Sequence, residues 1–536
     1  MKTKLWLLLP FFSISFLTKT PAQFADLILT NGNIFTSDTS QLFVEALAIK
    51  GNKIVAVGSN AAIRKLGSAK TRRIDLRGKT VVPGFNDAHD HLGFFAPVGQ
   101  FFTSAFSDTG LNKKSVLDSV SRLSKAATPN QWIIGPIGLT VLKDLRMREA
   151  LDSIAAEHPV YLQAMWGHGA ILNSKALQIA GIPDDAKDPL GGFYVRQPGS
   201  KKISAIWEYA QWPVWHAALA SGPEKLIKSL RSYANQQIEA GITTVQDMSC
   251  NIEPALLSQV YHKASLPLRV RIIPMPGTSP GGRNLAEWKT VDPHPSALTY
   301  VSGIKYMLDG TPIEQRSLMK MPYAGTSNWH GELNMPVDTI RQILHEALTS
   351  STQLMIHIVG DSTLTVLLSL MKQMVNDEVW RRKRVRIEHN PLNANATEAE
   401  LSQLKELGII VMHTPKYNRT CHIRSLMEKG ILVGVSPDGT TNPFWDLLVI
   451  TSQQSDPNEN ISREQAVIAY TKTNAYAEFE EKHKGTLAKG MLADLSVLSQ
   501  NIFTIPPEQL PATQSALTIV NGKIVYQRLK NINDPK

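Results

Sequence analysis

Four polar residues, His357, His389, His413 and Asp438, each stand at the end of a short apolar run, and successive intervals between them are 32, 24 and 25 residues. Each interval holds one strand, one helix and two loops. Amphipathic stretches fill the same rhythm earlier: Lys225 to Ala240 precedes Ile242-Thr243-Thr244-Val245, and Asp338 to Ser350 precedes Leu354-Met355-Ile356. Repeated units of this kind demand a parallel sheet with helical cover. The reading is an α/β fold built on a (β/α)8 TIM-type barrel, whose reactive residues sit at the carboxyl ends of the strands. A doubly wound open sheet is the alternative, but no Gly-rich phosphate loop follows the first strand. Residues 159–210 break the rhythm with Gly, Pro and Lys-rich loops and are read as an insertion after an early barrel strand. The second strand is read at Trp132–Gly138.

The ends of the chain differ from its middle. Asp26–Leu29, Ala46–Ile49 and Lys53–Gly58 read as short strands, and so do Ala493–Leu498, Leu517–Val520 and Ile524–Tyr526. Asn521-Gly522 is a strong hairpin signal. Residues 23–80 and 486–536 are therefore expected to build one flanking composite β-sandwich around a barrel spanning 81–485. Residues 1–22 have a basic start, an apolar run from Leu5 to Leu17 and a short polar end, the layout of a secretory signal peptide. Export to the periplasm or medium is the expectation, with no stable membrane span after cleavage.

The net charge of +10 is spread along the chain, and no nucleic-acid motif accompanies it. The one basic run, Arg381 to Arg384, reads as a solvated helix end. The two cysteines, Cys250 and Cys421, make neither a disulfide framework nor a zinc motif, and are expected to be unpaired and buried.

Ionisable residues in buried strands are expensive unless something pairs them. In Asp87-Ala88-His89-Asp90-His91 the two histidines are two apart, so in extended backbone they face one way and can share a metal. Asp87, in phase with them, is a candidate to orient one imidazole. His357 and His389 add one imidazole each, a nitrogen set that suits zinc. Lys305, in an apolar run, would have a depressed pKa and a nucleophilic amine able to capture carbon dioxide as a metal-bridging carbamate. A buried pair with Asp309 is the alternative. Asp438 can touch a metal and take a proton from water, or simply make a turn before Gly439.

Together these residues resemble the amidohydrolase superfamily, and more narrowly amidohydrolase family 3, the group of N-substituted formamide deformylase-like enzymes. The resemblance spans the mature chain. It is carried by Pro83-Gly84-Phe85 leading to His89 and His91, by Gly303-Ile304-Lys305 with Asp309-Gly310, and by His357 with Gly360-Asp361. Arg386-Ile387-Glu388-His389, the late Asp438, Gly167-His168-Gly169 and Gly490-Met491-Leu492-Ala493-Asp494 complete it. It implies one or two divalent ions, most often zinc, held by His89, His91, Lys305, His357, His389 and Asp438. It places these on the first, fourth, fifth, sixth and eighth strands, makes an N6-carboxylated Lys305 the expectation, and sets His168 in the inserted region facing substrate. Pro437 separates Ser436 from Asp438 where the family has Ser-Asp. His413, on the seventh strand, is either a substrate contact or an ordinary hydrogen-bonded histidine.

The expected activity is metal-assisted hydrolysis of a non-peptide or N-acyl carbon–nitrogen bond, with Asp438 as general base and then acid. Deamination of a cyclic amidine or opening of a lactone could use the same site, and a non-catalytic binding protein on the same scaffold is the alternative of another class. Tyr323, Trp329, His330, Phe444 and Trp445 are candidate pocket walls, with Tyr323 and His168 the polar contacts. The partner is a small molecule, and a homodimer is one option.

Overall fold

The computed structural model describes residues 24–92, 99–389, 396–415, 422–439 and 442–528; the signal-like segment and Cys421 lie outside them. Eight parallel strand positions make the barrel. The first, Phe85–Asp90, pairs with Ile242–Ser249, which pairs with Arg269–Pro274, which pairs with Thr299–Val301. The fourth position continues after Ser302-Gly303 as Ile304–Met307, and from there Leu354–His357, Arg386–Glu388, Ile410–His413 and Leu432–Val435 follow in order. The seam between the eighth and first strands is closed by side chains. Asn474 Nδ2 donates to the carbonyls of Asn86 (2.7 Å) and Val435 (2.8 Å), and Ser436 Oγ accepts from the His89 backbone N–H at 2.7 Å.

Strand alternation sorts the side chains. Tyr306, Ile356, Ile387 and Val411 are in register on the outer face and join the large core under the helices. Lys305, Met355, Arg386 and Ile410 point the other way, as do Met307, His357, Glu388 and Met412 one layer up. Branched aliphatics usually fill such a lumen. Here Gln246, Arg271, Arg386 and Glu388 occupy it, all buried and hydrogen-bonded to one another.

The segment between the first and second barrel strands is larger than the sequence suggested. Its six-stranded sheet runs in the order Gly192–Arg196, Ile203–Glu208, Ala170–Leu172, Val160–Ala164, Ile133–Ile137, Gln100–Phe101. The insertion thus begins well before residue 159, and Trp132–Gly138 is not the second barrel strand; Ile242–Ser249 is. The misreading has a physical cause. Ile133–Ile137 and Val160–Ala164 are parallel neighbours joined through helices, so locally they are a βα repeat like those of the barrel. The insertion has its own core, with Val116, Val120 and Leu151 from helices packed on Ile133, Leu162 and Ile171.

Two further sheets flank the barrel, the first built from N-terminal strands and the second mixing strands from both ends of the chain. One orders Lys53–Gly58, Ala46–Lys50, Leu27–Thr30 and Arg72–Asp75; the other carries Lys523–Gln527, Ser515–Val520, Leu495–Leu498, Thr80–Pro83, Asn33–Phe35 and Phe43–Val44. Leu29, Leu47, Ile74, Val81, Val497 and Leu517 fill the space between them. Asn521 and Gly522 both have positive φ, 53° and 75°, as a two-residue hairpin turn of this twist requires. Among the described residues no helix is long and apolar enough to cross a membrane.

Candidate active site

The site is assembled where the barrel strands end. Lys305 Nζ donates to His89 Nε2 at 2.9 Å, so His89 carries its proton on Nδ1, which donates to Glu388 Oε2 at 2.7 Å. His91 Nδ1 donates to the Met248 carbonyl at 2.7 Å and leaves Nε2 directed at Asp438 Oδ1, 3.9 Å away. Asp438 Oδ1 is 3.8 Å from His89 Nε2, and its Oδ2 is 3.8 Å from His389 Nδ1. Ligand atoms of His89, His91 and Asp438 all lie within 4.8 Å of one another. The His389 ring is 4.7 Å from that of His89 and 4.5 Å from that of His357. His357 Nε2 is buried with no hydrogen-bond partner. His389 and Asp438 both have positive φ, 80° and 49°. Non-glycine residues rarely adopt this conformation, and it aims both side chains back over the strand ends. Pro437 therefore does not take Asp438 out of reach; the turn after it restores the direction.

A fifth ring enters from outside the barrel. The insertion turns at Trp166–Gly169, where Gly167 (φ 88°) and Gly169 (φ 122°) permit a reversal that side chains would resist. His168, between them, lies 4.8 Å ring to ring from His357. Its Nδ1 donates to the fully buried Glu208 Oε2 at 2.9 Å.

Burial dominates the electrostatics. It holds His89, His91, His357 and His389 well below the usual imidazole range, and neighbouring basic groups add to it: Lys305 for His89 and His91, His389 for His357, and His89 for His389. These rings are neutral, the form that binds a metal. Burial also pulls Lys305 down to about 8, against the opposing charges of Glu388 and Asp438. His168 goes the other way: burial lowers it, but Glu208, with Glu314 and Asp309, carries it up to about 9. Four neutral imidazoles, one of them with a buried nitrogen that makes no hydrogen bond, and a carboxylate among them fit a divalent ion.

Several expectations need correction. Asp87 orients no imidazole; its Oδ1 accepts from Ser436 Oγ and the His89 backbone N–H. The carboxylate in contact with the His89 ring is Glu388 instead, and its place beside His389 was the available signal. His413 is not at the site. It shares the outward phase of Val411, is buried, and burial alone drops it to about 3. Tyr323 hydrogen-bonds within its own loop, donating to the Ser317 carbonyl at 2.8 Å. Phe444 is core, edge-on to Phe85 at 5.5 Å. Trp445 is exposed, Trp329 Nε1 donates to the Gln315 carbonyl at 2.6 Å, and His330 Nδ1 donates to the Met319 carbonyl. Cys250 is free and buried, its Sγ 3.9 Å from His91 Nδ1.

Residues 72–526 match the amidohydrolase family. The chain belongs to that family. It is accordingly a metal-dependent hydrolase of carbon–nitrogen bonds. Among its relatives are Protein LONG AFTER FAR-RED 3 of Arabidopsis thaliana, 26% identical over 95% of this chain and 93% of that one, and N-substituted formamide deformylase of Arthrobacter pascens, 22% identical over 94% and 99%. An uncharacterized metal-dependent hydrolase from Pyrococcus horikoshii has the same fold, with a TM-score of 0.68 at 18% identity over 90% of this chain and 99% of that one.

Proposed function

We propose that this amidohydrolase is an exported, zinc-dependent enzyme that hydrolyses N-acyl amines, N-formyl amines among them. One observation carries the reading: His89, His91 and Asp438 converge within ligand distance of one another, beside Lys305 and a His357 nitrogen that makes no hydrogen bond. The deformylase relative, aligned end to end, supports the acyl-amine class. The N-terminal residues 1–22 support export.

His89, His91, His357, His389 and Asp438 would hold one or two divalent ions, with Lys305, as an N6-carboxylate, a further ligand. A bound ion supplies Lewis acidity and brings the pKa of a water to about 7. The chain's residues do the rest. Asp438 takes the proton of the attacking water and later returns it to the leaving nitrogen. His168, cationic and fixed by Glu208, faces the same space from the insertion and offers Nε2–H to the substrate's carbonyl side.

A panel of N-acyl and N-formyl amines offered to zinc-reconstituted full-length protein tests this. Carboxylate and free amine should appear in equal amounts. Ammonia released from cyclic amidines, with no acyl-amine cleaved, would replace the proposal with a deaminase.

A further inference from the structure

His89 is held differently from its neighbours. His91 leans on a backbone carbonyl and His389 on the Thr414 hydroxyl (3.2 Å), whereas His89 Nδ1 meets a carboxylate, Glu388. That carboxylate is itself gripped. Arg386 Nε is 2.9 Å from Glu388 Oε1 and Arg386 Nη2 is 3.2 Å from Oε2, a two-point contact. The same Nη2 donates to the carbonyl of Ala88 at 2.7 Å, one residue before His89, and Nη1 donates to Gln246 Oε1 at 2.6 Å. Gln246 donates in turn to Asn86 Oδ1 at 3.3 Å, and Asn86 Nδ2 donates to Glu478 at 2.6 Å. The sixth strand therefore holds both the ring and the backbone of the first strand's histidine pair. His89, Arg386 and Glu388 have no exposed surface at all. A buried ion pair is a poor device for stability, since a well-packed apolar pair usually does as well. A carboxylate on the far nitrogen of a metal-binding imidazole has a use that an apolar residue cannot supply: it fixes the tautomer and strengthens the lone pair opposite.

We propose that Glu388, aimed by Arg386, is a positioning residue that presents His89 Nε2 for metal binding. This rests on the metal reading of the His89 cluster. Two variants of the full chain test it, Glu388→Gln and the double change Arg386→Gln with Glu388→Gln, which leaves no unpaired charge inside. Zinc affinity by competition titration should fall about 10–100-fold in both, and the visible spectrum of the cobalt-loaded protein should shift, while the metal-free double variant unfolds close to the parent temperature. A folded variant that binds zinc within about threefold of the parent, with an unshifted cobalt spectrum, overturns the assignment, the threefold margin lying well inside the expected loss. If the parent binds no zinc, the metal reading itself has failed, and the role of Glu388 falls with it.

Discussion

Asp438→Asn is expected to keep the metal and lose turnover, by about 10²–10⁴-fold in kcat. Asparagine is nearly isosteric and keeps an oxygen that can sit where Asp438 Oδ1 now lies, 3.8–3.9 Å from His89 and His91. What it cannot do is take a proton from water and return it to a leaving nitrogen. The left-handed backbone at residue 438 also tolerates asparagine better than most residues. The loss should thus appear in kcat with zinc content and KM little changed. Turnover near the parent rate would remove Asp438 from the chemistry. A variant stripped of metal would make it a ligand first and a base only in second place.

Lys305→Ala should strike the metal content. Lys305 is on the inward phase of its strand, 2.9 Å from His89 Nε2, and burial brings its amine down to about 8. A neutral amine is the form that adds carbon dioxide, and the carbamate so formed is a carboxylate in a pocket that already holds four imidazoles. With the side chain gone, zinc per chain should fall and kcat/KM should drop on the order of 10³-fold, the scale for losing one preorganised partner of a reacting oxygen. Short carboxylates such as formate, small enough for the vacated space, should restore part of both. Native mass spectrometry of the parent should find one carbon dioxide added, absent from the variant. An unmodified parent, with zinc retained after Lys305→Ala, would leave only the buried-lysine alternative.

The late barrel was legible because its units are regular: each apolar run is short, each ends in one polar residue, and a helix separates it from the next. His89 and His91 could be paired from alternation alone. The insertion misled because its strands at 133–137 and 160–164 repeat the same βα grammar, and only the pairing of Val160–Ala164 with Ala170–Leu172, and of that strand with Ile203–Glu208, excludes them from the barrel. His413 failed for a subtler reason. Strand alternation puts it one residue out of phase with Glu388 and Met412, and phase depends on a register that one strand cannot reveal by itself. Glu388 and Glu208 escaped because a carboxylate in a strand reads as an ordinary polar residue until the partner ring, 299 residues away for Glu388 and 40 for Glu208, is placed beside it.

The convergence of His89, His91, His357 and His389 about a divalent ion underlies all of this. Elemental analysis of protein purified without chelator measures it most directly. One or two equivalents of a divalent transition ion per chain are expected in the parent, falling below one equivalent when His89 and His91 are both changed to alanine. Parent protein with no stoichiometric metal, or an alanine pair that binds as much as the parent, would contradict the account.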